Sequence, residues 1–156
     1  MHGASNVTDV GMLAVATAAI ALQELDISGC TGISDDGLRP FAVHCKAMTS
    51  VNVGNCRQLS GAGIAAIGDC CSRLVSLNVA GCDGLEEWMI SRIADGCPGL
   101  EALNVARCSR VNDACIKVCR RTAHRVGRLV CVASDRRLWR TSAVGCGSCR
   151  SLTAKP

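Results

Sequence analysis

Aromatic side chains are nearly absent: the 156 residues hold two Trp, one Phe and no Tyr. A core centred on large rings is excluded. So is the row of stacking platforms with which sequence-reading proteins usually hold RNA. Long hydrophobic runs are absent too. The longest, Gly11 to Leu22, has twelve residues, against the roughly 20 that a membrane-crossing helix needs. Its length suits the apolar part of a signal peptide, but no positive segment precedes it and Thr8-Asp9 lead into it. The three histidines, His2, His44 and His124, are scattered. No Ser-His-Asp, Cys-His or paired-carboxylate arrangement stands out, and no glycine loop of the phosphate-binding kind appears. The chain is read as a non-enzyme with no cofactor and no membrane segment.

Hydrophobic residues make up 49% of the chain, so the core must be built from Leu, Val, Ile, Ala and Cys. A length of 156 residues is one domain's worth. What organises it is a repeat. Leu22-Gln-Glu-Leu-Asp-Ile-Ser-Gly-Cys30 recurs as Met48-Thr-Ser-Val-Asn-Val-Gly-Asn-Cys56. It recurs again as Leu74-Val-Ser-Leu-Asn-Val-Ala-Gly-Cys82 and as Leu100-Glu-Ala-Leu-Asn-Val-Ala-Arg-Cys108. Each step is 26 residues with no slip, and a fixed period of this size marks a solenoid.

Thirteen cysteines would suggest disulfides in a short secreted protein. The count is odd, however, and most cysteines fall on the grid. Cys30, Cys56, Cys82 and Cys108 share position 9, counting from Leu22; Cys45, Cys71 and Cys97 share position 24. A residue repeated in phase belongs to a core layer, and free Cys behaves as a small buried hydrophobe. The position-9 residues are therefore read as a structural cysteine ladder whose side chains meet backbone carbonyls. A reducing compartment, cytoplasmic or nuclear, follows.

Within each unit, apolar residues at positions 4 and 6 alternate with polar neighbours, the period-2 mark of a short half-buried strand. Position 13 is Thr8, Ser34, Ser60, Glu86 or Asn112, mostly good helix N-caps. Acids follow in the first turn at Asp9, Asp35, Asp36, Glu87 and Asp113, where the helix end is positive. Leu38, Phe41, Ala42 and Cys45 then line one helical face, echoed by Ile64, Ile67, Gly68, Cys71 and by Ile90, Ile93, Ala94, Cys97. Pro40 is placed early in its helix, where a missing N–H costs least.

This grid predicts an α/β solenoid, a right-handed horseshoe segment with a parallel sheet on the concave face and helices on the convex face. Residues 1–21 read as a partial unit with only its helix half, 22–125 as four complete units, 126–141 as a degenerate unit and 142–156 as an irregular or disordered tail. In the fifth unit Val126, Leu129 and Cys131 fit positions 1, 4 and 6. The first unit's missing strand is expected to leave Leu25 and Ile27 uncovered and the isolated chain marginally stable.

The pattern of Leu, Asp or Asn, Ile or Val, the position-9 Cys, a Ser/Thr-Asp pair and a second Cys resembles the cysteine-containing leucine-rich repeats of F-box/LRR proteins and of mitotic-exit-antagonist-like proteins. The resemblance covers roughly residues 4–134. It implies a protein-protein interaction module that recognises substrates for an SCF-type ubiquitin ligase or acts in a related regulator. The partners it implies are proteins, a ubiquitin-ligase substrate or subunit among them. The alternatives are a structural scaffold in an intracellular assembly and, ranked below it, a nucleic-acid-binding segment through the basic C-terminal part.

The candidate binding face is the concave row at positions 3, 5 and 7: Glu24, Asp26 and Ser28; Ser50 and Asn52; Ser76 and Asn78; Asn104; and Arg128 in the fifth unit, with Val130 and Val132 beyond it. The position-5 residues Asp26, Asn52, Asn78 and Asn104 are expected to pair laterally. Charge is uneven. Residues 1–78 carry four Lys/Arg against six acids, and residues 79–156 thirteen against seven. The basic residues from Arg107 to Arg140 read as a solvated convex face and tail rather than a nucleic-acid site. Cys115, Cys119 and His124 lack a standard zinc spacing. Cys146 and Cys149 form a lone C-x-x-C. No metal site is assigned to either group.

Overall fold

The computed structural model describes residue 4, residues 6–112, 114, 115, 117 and 118, and the backbone of 130–132. Helices and strands alternate along it. The order is α1 (Asp9–Ala18), β1 (Glu24–Asp26), α2 (Asp35–His44), β2 (Ser50–Asn52), α3 (Gly61–Cys70), β3 (Ser76–Asn78), α4 (Glu87–Gly96), β4 (Ala102–Asn104) and β5 (Val130–Val132). The strands form one five-stranded parallel sheet in chain order. Each helix packs against the next, α1 on α2, α2 on α3 and α3 on α4.

The first three pairings are in register on the 26-residue grid: Glu24 with Ser50, Ser50 with Ser76, and Ser76 with Ala102. Every unit therefore puts the same position against its neighbour. Leu25, Val51, Leu77 and Leu103 at position 4 are buried, as are Ile27, Val53, Val79 and Val105 at position 6. The predicted helix faces are buried against them, with Phe41, Ile67 and Ile93 in one layer and Leu38, Ile64 and Ile90 in another. The core is thus a stack of near-identical aliphatic layers, which is why so few aromatics suffice.

Helix starts follow the predicted caps in part. Ser34 and Ser60 accept from the N–H groups of Asp36 and Ala62. Asn112 Oδ1 accepts from Ala114 and Cys115. Thr8 makes no side-chain cap bond.

Three expectations are corrected. Pro40 lies sixth in α2, not at its start. It removes the bond that would reach the Asp36 carbonyl, and Asp36 is exposed, so water can take its place. Leu25 and Ile27 are not uncovered: they are 5% and 0% exposed and belong to one core cluster with Met12 and Ala16 of α1.

The fifth strand is the third. β4 pairs Ala102 with Val130, Leu103 with Cys131 and Asn104 with Val132, a step two residues longer than the others. Cys131 therefore occupies position 4, not position 6. A slip of two preserves the alternation of faces, whereas a slip of one would invert it. Arg128 lies outside the described residues, and the place beside Ala102 in the ladder belongs to Val130. Most of 126–141, and the whole tail 142–156, also lie outside them.

Candidate protein-binding face

The outward sheet face is assembled from positions 3 and 5 of successive strands. Position 3 contributes Glu24, Ser50, Ser76 and Ala102; position 5 contributes Asp26, Asn52, Asn78 and Asn104. Glu24 and Asp26 are exposed, and the others are half-buried. At about 4.8 Å per strand, five strands give a face about 19 Å across. It is poor in side-chain bulk, with its two carboxylates at the β1 edge.

The position-5 row is held chiefly by its own backbone rather than by lateral pairing. The Oδ1 of Asp26, Asn52, Asn78 and Asn104 accepts from the N–H two residues on, at 2.9, 3.1, 3.0 and 3.0 Å. Such a bond caps the strand end as a local turn. A lateral bond runs from Asn52 Nδ2 to Asp26 Oδ2 at 3.0 Å. Asp and Asn have the short side-chain carbonyl this turn requires, which explains why one or the other occupies position 5 in β1 to β4; in β5 the place beside Asn104 belongs to Val132. Ser28 does not join the open face. It is 6% exposed and its hydroxyl donates to Asp26 Oδ1 at 2.6 Å.

Beneath the turn after each strand sits the cysteine layer. Cys56, Cys82 and Cys108 donate their thiols to the position-6 carbonyls of the preceding unit, Ile27, Val53 and Val79, at 3.0, 3.3 and 3.2 Å. Cys30 is buried in the same layer. At position 24, Cys45 and Cys97 donate to Ala19 and Cys71 carbonyls, both at 3.3 Å. Each thiol thus satisfies a carbonyl of the neighbouring unit while filling a small apolar space. Burial pushes Cys56 and Cys71 up to about 11, and Cys82 and Cys97 up to about 12. A protonated, buried thiol is a poor nucleophile, and the bonds of this layer join each unit to its neighbour.

Two devices that shape the face escape residue-by-residue reading. The first is position 8, where Gly29, Asn55, Gly81 and Arg107 all have φ between 59° and 74°. This left-handed residue turns the chain from strand to convex side in every unit. Two glycines and an asparagine signal it, but Arg107 masks the pattern.

The second device joins units through their helix starts. Asp9 accepts from Ser34 N–H and Oγ at 2.9 and 2.6 Å. Asp35 accepts from Ser60 N–H, at 2.9 Å, and from Ser60 Oγ. The recurring Ser/Thr-Asp dipeptide is its signal.

On the helix side the chain offers exposed ion pairs, Arg92 with Asp69 at 2.9 Å and Arg110 with Glu86 at 2.8 Å. Trp88 is partly exposed there and donates to Glu86 Oε2. Among the described residues no cluster of three or more His, Cys, Asp or Glu is placed to hold a metal ion. Cys119, His124, Cys146 and Cys149 lie outside those residues. No helix of the described residues is long and apolar enough to cross a membrane.

Comparison with known proteins agrees with this architecture. A family model described as "Leucine Rich repeat" matches residues 21–42, which span β1 and most of α2. No curated protein matches the chain by sequence. Among solved structures, it is similar to the tropomodulin C-terminal domain from Caenorhabditis elegans, at a TM-score of 0.64 and 12% identity. The likeness covers 86% of this chain and 88% of that one, and at this identity it concerns the fold. The repeat grid, the matched unit and the shared fold give this chain the architecture of an α/β leucine-rich-repeat solenoid, with its parallel strands on one side and its helices on the other.

Proposed function

We propose that the chain is a non-enzymatic protein-interaction module that binds its partner across the strand face, and that it recognises substrates for an SCF-type ubiquitin ligase or serves a related regulator. The observation that carries the first part is the face itself. Its in-register rows of Ser, Asn and Ala present hydroxyls and amides on a rigid sheet, with no bulky side chain to exclude a partner. The ligase part rests on the resemblance of the cysteine-type repeats to those of F-box/LRR proteins.

The face lacks the aromatic anchors that dominate interface energetics. Its partner must therefore supply them and lay long side chains between the small residues. Glu24 and Asp26 favour a partner that is basic at the β1 end.

Affinity purification of the full-length gene product tests the ligase part. Recovery of a ligase adaptor and cullin, with partner levels that rise on proteasome inhibition, is the expected result. Co-fractionation with a large assembly, without ligase subunits and without an effect of the inhibitor, would overturn that part and leave a scaffold.

A further inference from the structure

The first helix and strand present, at their outer side, groups of the kind that the first two internal junctions use, and among the described residues these groups lack the partners they have there. Val15 is 38% exposed, while its equivalents Phe41, Ile67 and Ile93 are 0%, 1% and 0% exposed. Leu22 is half-buried where Met48, Leu74 and Leu100 are buried. The N–H groups of Thr49 and Ser50 both reach the carbonyl of Gln23, and those of Val75 and Ser76 reach Thr49. Among the described residues Gln23 and Glu24 have no such carbonyl beside them.

The polar part of the junction shows what is missing. A β-carbon on Gly37 would lie 2.3 Å from Asp9 Oδ1, and one on Gly63 would lie 2.4 Å from Asp35 Oδ1. Glycine at this place makes room for the preceding unit's carboxylate, which Ser34 or Ser60 then binds. Gly11 stands at the same place with nothing within 4 Å, and Thr8 offers the same N–H and hydroxyl.

The third junction uses a different set. Gly61 replaces the aspartate, Glu86 the serine and Met89 the glycine, and a β-carbon on Gly61 would lie 2.0 Å from Met89 Sδ. Across the first three junctions the three places thus change together, either as Asp with Ser and Gly, or as Gly with Glu and Met; the fourth has Glu87, Asn112 and Cys115 at these places. Thr8 and Gly11 belong to the first kind.

We infer that the outer side of α1 and β1 is a docking face for one further strand-helix unit, and that this unit carries an aspartate where Asp9 and Asp35 stand. The carboxylate binds Thr8 N–H and Oγ over Gly11, close to the positive start of α1. The unit's helix covers Val15, and its strand accepts from Gln23 and Glu24. The inference is independent of what the strand face binds.

The test joins a copy of residues 22–59 directly ahead of Thr8, leaving Thr8 to Pro156 intact. Two companions carry either Asp35→Ala within that copy or a copy of residues 48–85, which has Gly61 at the aspartate's place. The aspartate-bearing fusion is expected to raise Tm by at least ~5 °C and to slow amide exchange of both Thr8 and Gln23 about tenfold or more. The two companions are expected to protect Gln23 alike but to leave Thr8 exchanging as in the parent chain. Equal Thr8 protection in all three fusions, or no rise in Tm with any, would overturn the inference. So would a parent chain that sediments as a dimer with Thr8 already protected, because a second copy would then be the occupant.

Discussion

Gly96→Val is expected to destabilise the chain by about 3 kcal/mol or more, whereas Gly11→Ala leaves it unchanged or slightly more stable. The reason lies in how closely α3 and α4 approach. A β-carbon on Gly96 would fall 1.9 Å from the carbonyl oxygen of Gly68, and one on Gly68 would fall 2.8 Å from Ile93 Cα. Both obstacles are backbone, so no side-chain rotation relieves them and the helices must separate. Separation opens the layer that Ile64, Ile67, Ile90 and Ile93 fill.

Helix propensity argues the other way, since alanine is favoured over glycine by about 1 kcal/mol in a helix interior. Gly96→Ala therefore sets about 1 kcal/mol of propensity against the clash, and the clash is expected to win. At Gly11 no clash exists and propensity acts alone. Denaturant melts of the three variants check this, and a neutral Gly96→Val would show that α3 and α4 are not in such contact.

Alkali is expected to unfold the chain well before most proteins of its size. Cys56, Cys71, Cys82 and Cys97 have folded-state values of about 11 to 12, against about 8.5 for an exposed thiol. The folded state therefore holds these protons more tightly than the unfolded chain does. Their contribution is complete below about pH 8.5. It is lost progressively as pH rises toward the folded values.

Each thiol costs about 1.4 kcal/mol per pH unit over that window, so four acting together remove about 5 kcal/mol per unit. That rivals a typical total stability of 5–15 kcal/mol. Guanidinium melts between pH 8 and pH 11 should show stability falling steeply from about pH 9. Cys82→Ala with Cys97→Ala should make the fall shallower, since two of the four groups are gone. A flat profile to pH 11 would mean the thiols are not buried donors.

The architecture was legible because its determinants are local and repeat. Positions 4 and 6 mark a strand in each unit by alternation alone, and Ser34 and Ser60 mark helix starts by their type. The cysteines were legible as a layer because they recur in phase. What escaped is what acts between units or through the backbone. Asp9 and Asp35 read locally as acids at a helix start, yet their bonds go to Ser34 and Ser60 of the next unit, contacts that a single window does not contain.

Position 8 escaped because its common property is a backbone angle, shared by Gly29, Asn55, Gly81 and Arg107 without shared side-chain chemistry. The fifth strand slipped because two extra residues precede it, and a slip of two leaves the apolar pattern intact. On the candidate face, Ser28 was expected to be open because its position alternates outward. The carboxylate of Asp26, two residues back, draws its hydroxyl in. The place of the face was therefore legible, but its accessible members were not.

The central claim is that the strand face, not the helix side, receives the partner. A photo-crosslinking residue placed at Ser76 in the full-length protein, and separately at Val43 on the exposed side of α2, tests it in cells. The account predicts discrete protein adducts from Ser76 that disappear when Asn78→Arg crowds the face, and none from Val43. Adducts from Val43 alone, or equal adducts from both sites that Asn78→Arg leaves untouched, would contradict it.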